Sequence, residues 1–170
     1  LKKTIGMTLF IIISMTCLSL CIYFKQTPAD LTGYVIKKTP ERLLIQSEKS
    51  KDLRRSGGRE RYYELIWVET NSSSLELGDH VDVWYHSISQ HYPRIASTKK
   101  IAPVNQQSTY NSRLSKKKVI KKVYSGLTTH PSELFVIDQI SYIKDKEEWQ
   151  IDLFDVFSER CQSITIADHT

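Results

Sequence analysis

A chain of 170 residues with 40% hydrophobic and 25% charged residues has the composition of one ordinary globular domain or two small ones, which excludes a disordered or collagen-like chain. The formal charge of +5 does not mark a nucleic-acid binder: taking Lys2, Lys3 and Lys25 away from 24 basic residues leaves 21 against 19 acidic ones, or +2. Two of the three cysteines, Cys17 and Cys21, lie in an apolar run, so no disulfide framework is expected, and Cys161 reads as a small, partly buried strand residue.

That run opens the chain. Lys2 and Lys3 precede an uncharged, mostly apolar stretch from Thr4 to Phe24, closed by Lys25. About 20 such residues suffice for a helix to cross a bilayer, so residues 1–25 are read as an N-terminal transmembrane anchor. A signal peptide has a shorter apolar region, about 7–15 residues, ending in small residues, whereas this one ends in Cys21-Ile-Tyr-Phe24. Lipidation at Cys21 is the third alternative, although Leu20 stands where a lipoprotein signal has a small residue. All three place the rest of the chain outside the cytoplasm, because the basic residues lie on the N-terminal side. Leu1 reads as an alternative start codon or as a sign that the true start lies upstream.

After a linker at 26–30, five short strands are expected: Leu31–Lys38, Arg42–Gln46, Tyr62–Thr70, His80–His86 and Arg94–Ile101. Thr39-Pro40, Gly57-Gly58, Asn71 to Ser74, Gly78-Asp79 and Tyr92-Pro93 supply the turns between them. Five short strands do not make a stable open sheet exposed on both sides, so closure into a small OB-like barrel over 31–104 is expected. In the fourth strand, His80, Asp82, Trp84 and His86 share one face and Val81, Val83 and Tyr85 the other. The valine face is read as the barrel interior and the polar row as its outer, solvated face, with Trp84 under a loop or partner. As a single metal site, helped by His91, the row fails, because His80 and His86 are roughly 20 Å apart in an extended strand; only a pair such as Asp82 with His80 or His86, helped by a neighbouring strand, stays open.

A polar linker at 105–112 leads to a second region, 113–170. Val119, Ile120, Val123, Tyr124 and Leu127 recur at helical spacing, with Lys116–Lys118, Lys121 and Lys122 opposite. Three strands follow, Leu134–Ile143, Glu148–Phe157 and Cys161–Ala167. One helix on a three-stranded antiparallel sheet is a small α+β unit, loosely similar to the PepSY-type and cystatin-like modules of secreted proteins.

The loop from Glu48 to Arg61 reads first as a solvated, mobile loop; as a binding site it is the strongest candidate, since Arg54, Arg55, Arg59 and Arg61, set beside Tyr62 and Tyr63, could clamp phosphate or carboxylate. With Trp84, the two tyrosines are candidate partner contacts. No catalytic residue, metal ligand or cofactor site is assigned: Ser125, Ser132, His130 and Glu133 form a hydrolytic set only on paper, and His130 reads as a loop residue.

The segments LTGYVI, RLLI, YELIWVE, LELGDHVDVWYH and YPRIASTKKIAPV carry a resemblance over about Leu31 to Val104. Their most specific elements are Gly33, Gly78-Asp79 and Tyr92-Pro93. This region resembles the YobA-like family of uncharacterised secreted or lipid-anchored proteins of Gram-positive bacteria, which implies an OB-like barrel and an extracytoplasmic location but no activity. The chain departs from that pattern in carrying His91 where a serine is usual and in lacking a good lipobox. The expectation is a membrane-tethered, non-enzymatic envelope protein, with its partners the membrane and an envelope protein or anionic polymer. The alternatives are an OB module binding a polyanion (headgroup, wall polymer or nucleic acid) and a metal-dependent enzyme. Outside the membrane, nucleic acid is not the expected ligand.

Overall fold

The computed structural model describes residues 27–69, 74–105 and 111–169. The expected anchor, with Cys17 and Cys21, lies outside the described residues, and among the described residues no helix is long and apolar enough to cross a membrane. Strands β1 (Leu31–Lys38), β2 (Arg42–Ser47), β3 (Leu65–Glu69), β4 (His80–Ile88) and β5 (Arg94–Pro103) close into a barrel in the order β1-β2-β3-β5-β4. Neighbouring strands are antiparallel except β3 and β5, which run parallel. β3 begins at Leu65, not at Tyr62, because Tyr62 pairs with Lys51 as an isolated bridge that closes the preceding loop.

Val35, Leu43, Ile45, Ile66, Val81 and Val83 fill the barrel interior. Gly33 lets β1 and β2 approach: a Cβ there would stand 1.8 Å from the Gln46 carbonyl oxygen, so no other residue fits without moving the strands.

The second region is helix α1 (Lys116–Gly126) with strands β6 (Phe135–Ile143), β7 (Glu148–Asp155) and β8 (Cys161–Ala167), which form a sheet in chain order. Ser115 caps the helix, its Oγ accepting from the Lys118 N–H. The apolar stripe Val119, Ile120 and Val123 is buried. Of the lysines opposite, Lys117 pairs with Asp79 at 2.6 Å and Lys121 with Glu76 at 2.8 Å, while Lys116 Nζ donates to the Tyr34 hydroxyl at 2.7 Å. Gly78 has φ +84° and lies against the helix, where a Cβ would meet the Lys117 carbonyl oxygen at 2.4 Å. The turn before β4 is therefore also the seat of α1.

Tyr34, Ile36, Leu44 and Leu65 point out of the barrel and form one continuous apolar cluster with Val119 and Ile120 of the helix and Val136, Trp149, Ile151 and Leu153 of the sheet. At the centre of this seam is Gln46, 1% exposed. Its Oε1 accepts from Ile137 N–H at 2.8 Å and its Nε2 donates to the Ile137 carbonyl at 2.9 Å, while the Tyr124 hydroxyl donates to Oε1 at 3.3 Å. Ile137 is in register with Leu153 just before the β6–β7 register shifts, and β6 is an edge strand, so the side-chain amide supplies partners for backbone groups next to the shift.

Replacing Gln46 with alanine leaves the Ile137 N–H and C=O buried without those partners, a loss of about 2–4 kcal/mol. Urea unfolding should show that loss, whereas the exposed Gln139→Ala should stay within about 0.5 kcal/mol of wild type.

Candidate functional site

The basic loop is built, not loose. Lys51 and Tyr62 exchange backbone hydrogen bonds of 2.7 and 3.0 Å at its base, and Leu53 N–H donates to the Arg59 carbonyl at 2.9 Å. A single 3-10 turn, Arg54–Ser56, ends at Gly57 with φ +78°, in the left-handed region that glycine tolerates.

Its arginines face acids of the same chain. Arg54 holds Asp52 through contacts of 2.7 and 3.1 Å and reaches Glu60 at 3.6 Å, and its hydrogen bond to the Asp52 carboxylate lowers that group's pKa. Arg59 donates to the Val156 carbonyl at 2.5 Å and lies 3.6 Å from Glu159. Arg61 lies 3.4 Å from Asp138 and 3.5 Å from Cys161 Sγ, with its guanidinium 5.5 Å from the Phe154 ring centroid. Only Arg55 of the four is exposed without an ion pair among the described residues. The four therefore do not converge on one vacant anion position; three of them tie the loop down, two of these to the second sheet. Cys161, expected to be partly buried, is exposed beside Arg61.

The neighbouring aromatic residues divide. Tyr63 is 2% exposed and its hydroxyl donates to Asp138, so it is a core residue and not a surface contact; burial holds its phenol well above the ordinary range. Tyr62 stays half-buried, its ring 5.6 Å from Tyr92. Tyr92, which precedes a cis proline, donates to the Tyr63 carbonyl at 3.0 Å and meets Phe157 edge-on at 6.3 Å. Phe157, in the turn between β7 and β8, is 48% exposed. Tyr62, Tyr92 and Phe157 thus form an aromatic patch from three separate segments, across the seam between barrel and sheet. The sequence reading finds Tyr62 alone; the one signal for Phe157 is a large apolar residue directly before the turn Ser158-Glu159.

Trp84 is covered from the N-terminal side: its Nε1 donates to the Thr27 carbonyl at 2.9 Å, and Lys100 Nζ stands 4.7 Å from its ring centroid. In the same row, His80 departs from the solvated reading. Its side chain is 9% exposed, stacked on Tyr34 at 4.8 Å, because α1 and Glu48 close over this end of β4. Its Nε2 lies 2.8 Å from Glu48 Oε1 without hydrogen-bond alignment, and among the described residues Nδ1 has no hydrogen-bond partner. Asp82 accepts from Thr32 Oγ1 at 2.5 Å, and His86 and His91 are exposed. Among the described residues no three histidine, cysteine or carboxylate side chains come together as a metal shell. His130 Nδ1 is 2.7 Å from Ser132 Oγ in an exposed turn, but Glu133 accepts from the His130 backbone N–H and pairs with Arg160 instead of orienting the ring.

A closed five-stranded β-barrel carrying a helix and a three-stranded sheet on its outer face is the class of protein these elements define. Residues 32–105 match the family model described as "Protein of unknown function (DUF3221)", a match that covers the barrel and ends just after β5. Comparison with curated proteins and with solved structures finds no match.

Burial lowers the pKa of His80 below the usual 6.5, with the Lys116 charge acting in the same direction and the Glu48 and Asp82 charges against it. A histidine kept neutral by folding binds a proton more readily when unfolded, so its contribution is complete above about 6.5 and declines as pH falls through that value. Unfolding free energy measured against pH should therefore fall less steeply below about 6.5 for His80→Gln than for wild type.

Proposed function

We propose that the chain is a membrane-tethered, extracytoplasmic interaction protein without catalytic activity, in keeping with the YobA-like resemblance of its OB-like barrel. The apolar run 4–24 between lysines supports the tether. The observation that carries the interaction reading is the patch of Tyr62, Tyr92 and Phe157. An apolar ring 48% exposed at the meeting point of two units has no role in closing either core, whereas aromatic side chains of this kind anchor protein interfaces. The patch favours a protein partner of the envelope over an anionic polymer, because Arg54, Arg59 and Arg61 around it are already matched by acids and a carbonyl of the same chain. The exposed Ser132–His130 pair, with Glu133 engaged elsewhere, supports the non-enzymatic part of the reading.

Protease added to intact cells should remove the barrel and sheet, and Cys21→Ser should leave the chain membrane-bound; protection until lysis, or release by the substitution, overturns the topology or the spanning anchor respectively. Co-purification from detergent-solubilised membranes tests the patch. Phe157→Ser should lose a partner that wild type retains, with an unchanged unfolding midpoint, and retention of every partner overturns the patch as the interface.

A further inference from the structure

The segment from Thr27 to Asp30 is pinned to the barrel by three hydrogen bonds, one at Thr27 and two at Asp30. The Trp84 indole donates to the Thr27 carbonyl at 2.9 Å, Asp30 N–H donates to the Val83 carbonyl at 3.0 Å, and the Asp30 carboxylate accepts from Tyr85 N–H at 2.9 Å. The apolar run ends at Phe24, three residues earlier, and three residues reach at most roughly 10 Å when fully extended. A spanning helix over 4–24 therefore leaves no slack: the side of the barrel bearing Trp84 must lie within about that distance of the lipid surface.

This side has the chemistry such a position demands. Thr27, Trp84, Lys99 and Lys100 line a shallow recess of about 190 Å³. Both lysines are exposed and neither is ion-paired among the described residues, in contrast to Lys51, Lys117 and Lys121, which face acids of the chain. Lys25 adds a third cation in the intervening segment. A tryptophan with one polar edge and a row of lysines is the composition that settles at headgroup level, the ring in the interfacial layer and the ammonium groups against lipid phosphates. The recess leaves room for a headgroup phosphate between the two side chains.

We propose that the Trp84–Lys99–Lys100 face is seated on the anionic headgroups of the bilayer that holds the anchor, an inference that rests on the tethered reading. The contact fixes the orientation of the barrel instead of leaving it to swing on a linker. The recess is thereby committed to lipid, and a protein partner must engage another part of the surface.

The test uses the full chain reconstituted in phosphatidylcholine vesicles with or without phosphatidylglycerol. A single fluorescent thiol label is placed at Ser97→Cys on β5 or at Asp145→Cys in the turn between β6 and β7, each with Cys161→Ser and a membrane-impermeant reagent. Vesicle flotation reports the tether, and quenching by headgroup spin-labelled lipid reports proximity. The expected result is flotation of every variant, with quenching at 97 several-fold stronger than at 145, weakened by raised salt, by omission of phosphatidylglycerol and by Lys99→Glu with Lys100→Glu. Flotation with equal quenching at the two labels, or with no response to the lysine substitutions, overturns the seated face and leaves the tether standing. Failure to float overturns the tether and the face together.

Discussion

The carboxamide of Gln46 paired with both backbone groups of Ile137 is the constraint on which the joined architecture rests. Apolar contacts between barrel and sheet are permissive, since hydrophobic surfaces slide over one another at small cost. A buried amide that satisfies an N–H and a C=O together admits one register and heavily penalises its neighbours. It also explains how β6, an edge strand of its sheet, keeps backbone groups satisfied in a water-excluded position: Ile137 is in register with Leu153 of β7, and β2 supplies partners for its N–H and C=O. The third hydrogen bond, from Tyr124, brings α1 to the same point, so barrel, sheet and helix share one polar centre within an otherwise apolar seam.

Two further buried carboxylates work in the same manner at the periphery. Asp168 accepts from the Arg113 and Leu114 N–H groups and from the Trp149 indole, tying the approach to α1 to the end of the sheet. Asp155 accepts from Leu134 and Phe157 N–H groups and from the Ser158 hydroxyl, which shapes the turn that displays Phe157. The turn that carries Phe157 is thus held from below by the fully buried Asp155 carboxylate. Around it, pairing of arginines with acids spends the positive charge locally, so the surface there offers shape and apolar area more than electrostatic field.

Strand periodicity made much of this fold legible. β1 and β8 have the boundaries expected from alternation and turn residues, and Val81 and Val83 face inward as their spacing requires. The residues behind the resemblance also acquire physical reasons, Gly33 as a close approach of strands and Gly78 as a left-handed turn under a helix. The second apolar face of the barrel does not follow from strand alternation, although the chain carries a signal for it. β4 alternates polar and apolar, but Tyr34-Val-Ile36, Leu43-Leu-Ile45 and Leu65-Ile-Trp-Val68 are unbroken apolar runs, the mark of strands covered on both sides. Gln46 was illegible for a different reason: its two partners lie 91 residues away, and a lone glutamine at a strand end has the ordinary look of a solvated residue. In the arginine loop, spacing shows the cations together but not the acids that meet them, Asp138 from β6 and Glu159 from the turn between β7 and β8.

The two-faced barrel has a consequence for biogenesis. Residues 31–105 leave the ribosome before the helix and sheet that cover Tyr34, Ile36, Leu44 and Leu65 have been made. At about 5–20 residues per second, the remaining stretch takes on the order of several seconds to synthesise. During that interval a closed barrel would present an uncovered apolar belt, the type of surface that recruits chaperones or associates with a second nascent chain. Completion of the chain therefore ends a period of stickiness as well as adding a second sheet, and the late-made Ile137 and Tyr124 are the residues that lock the cover in place.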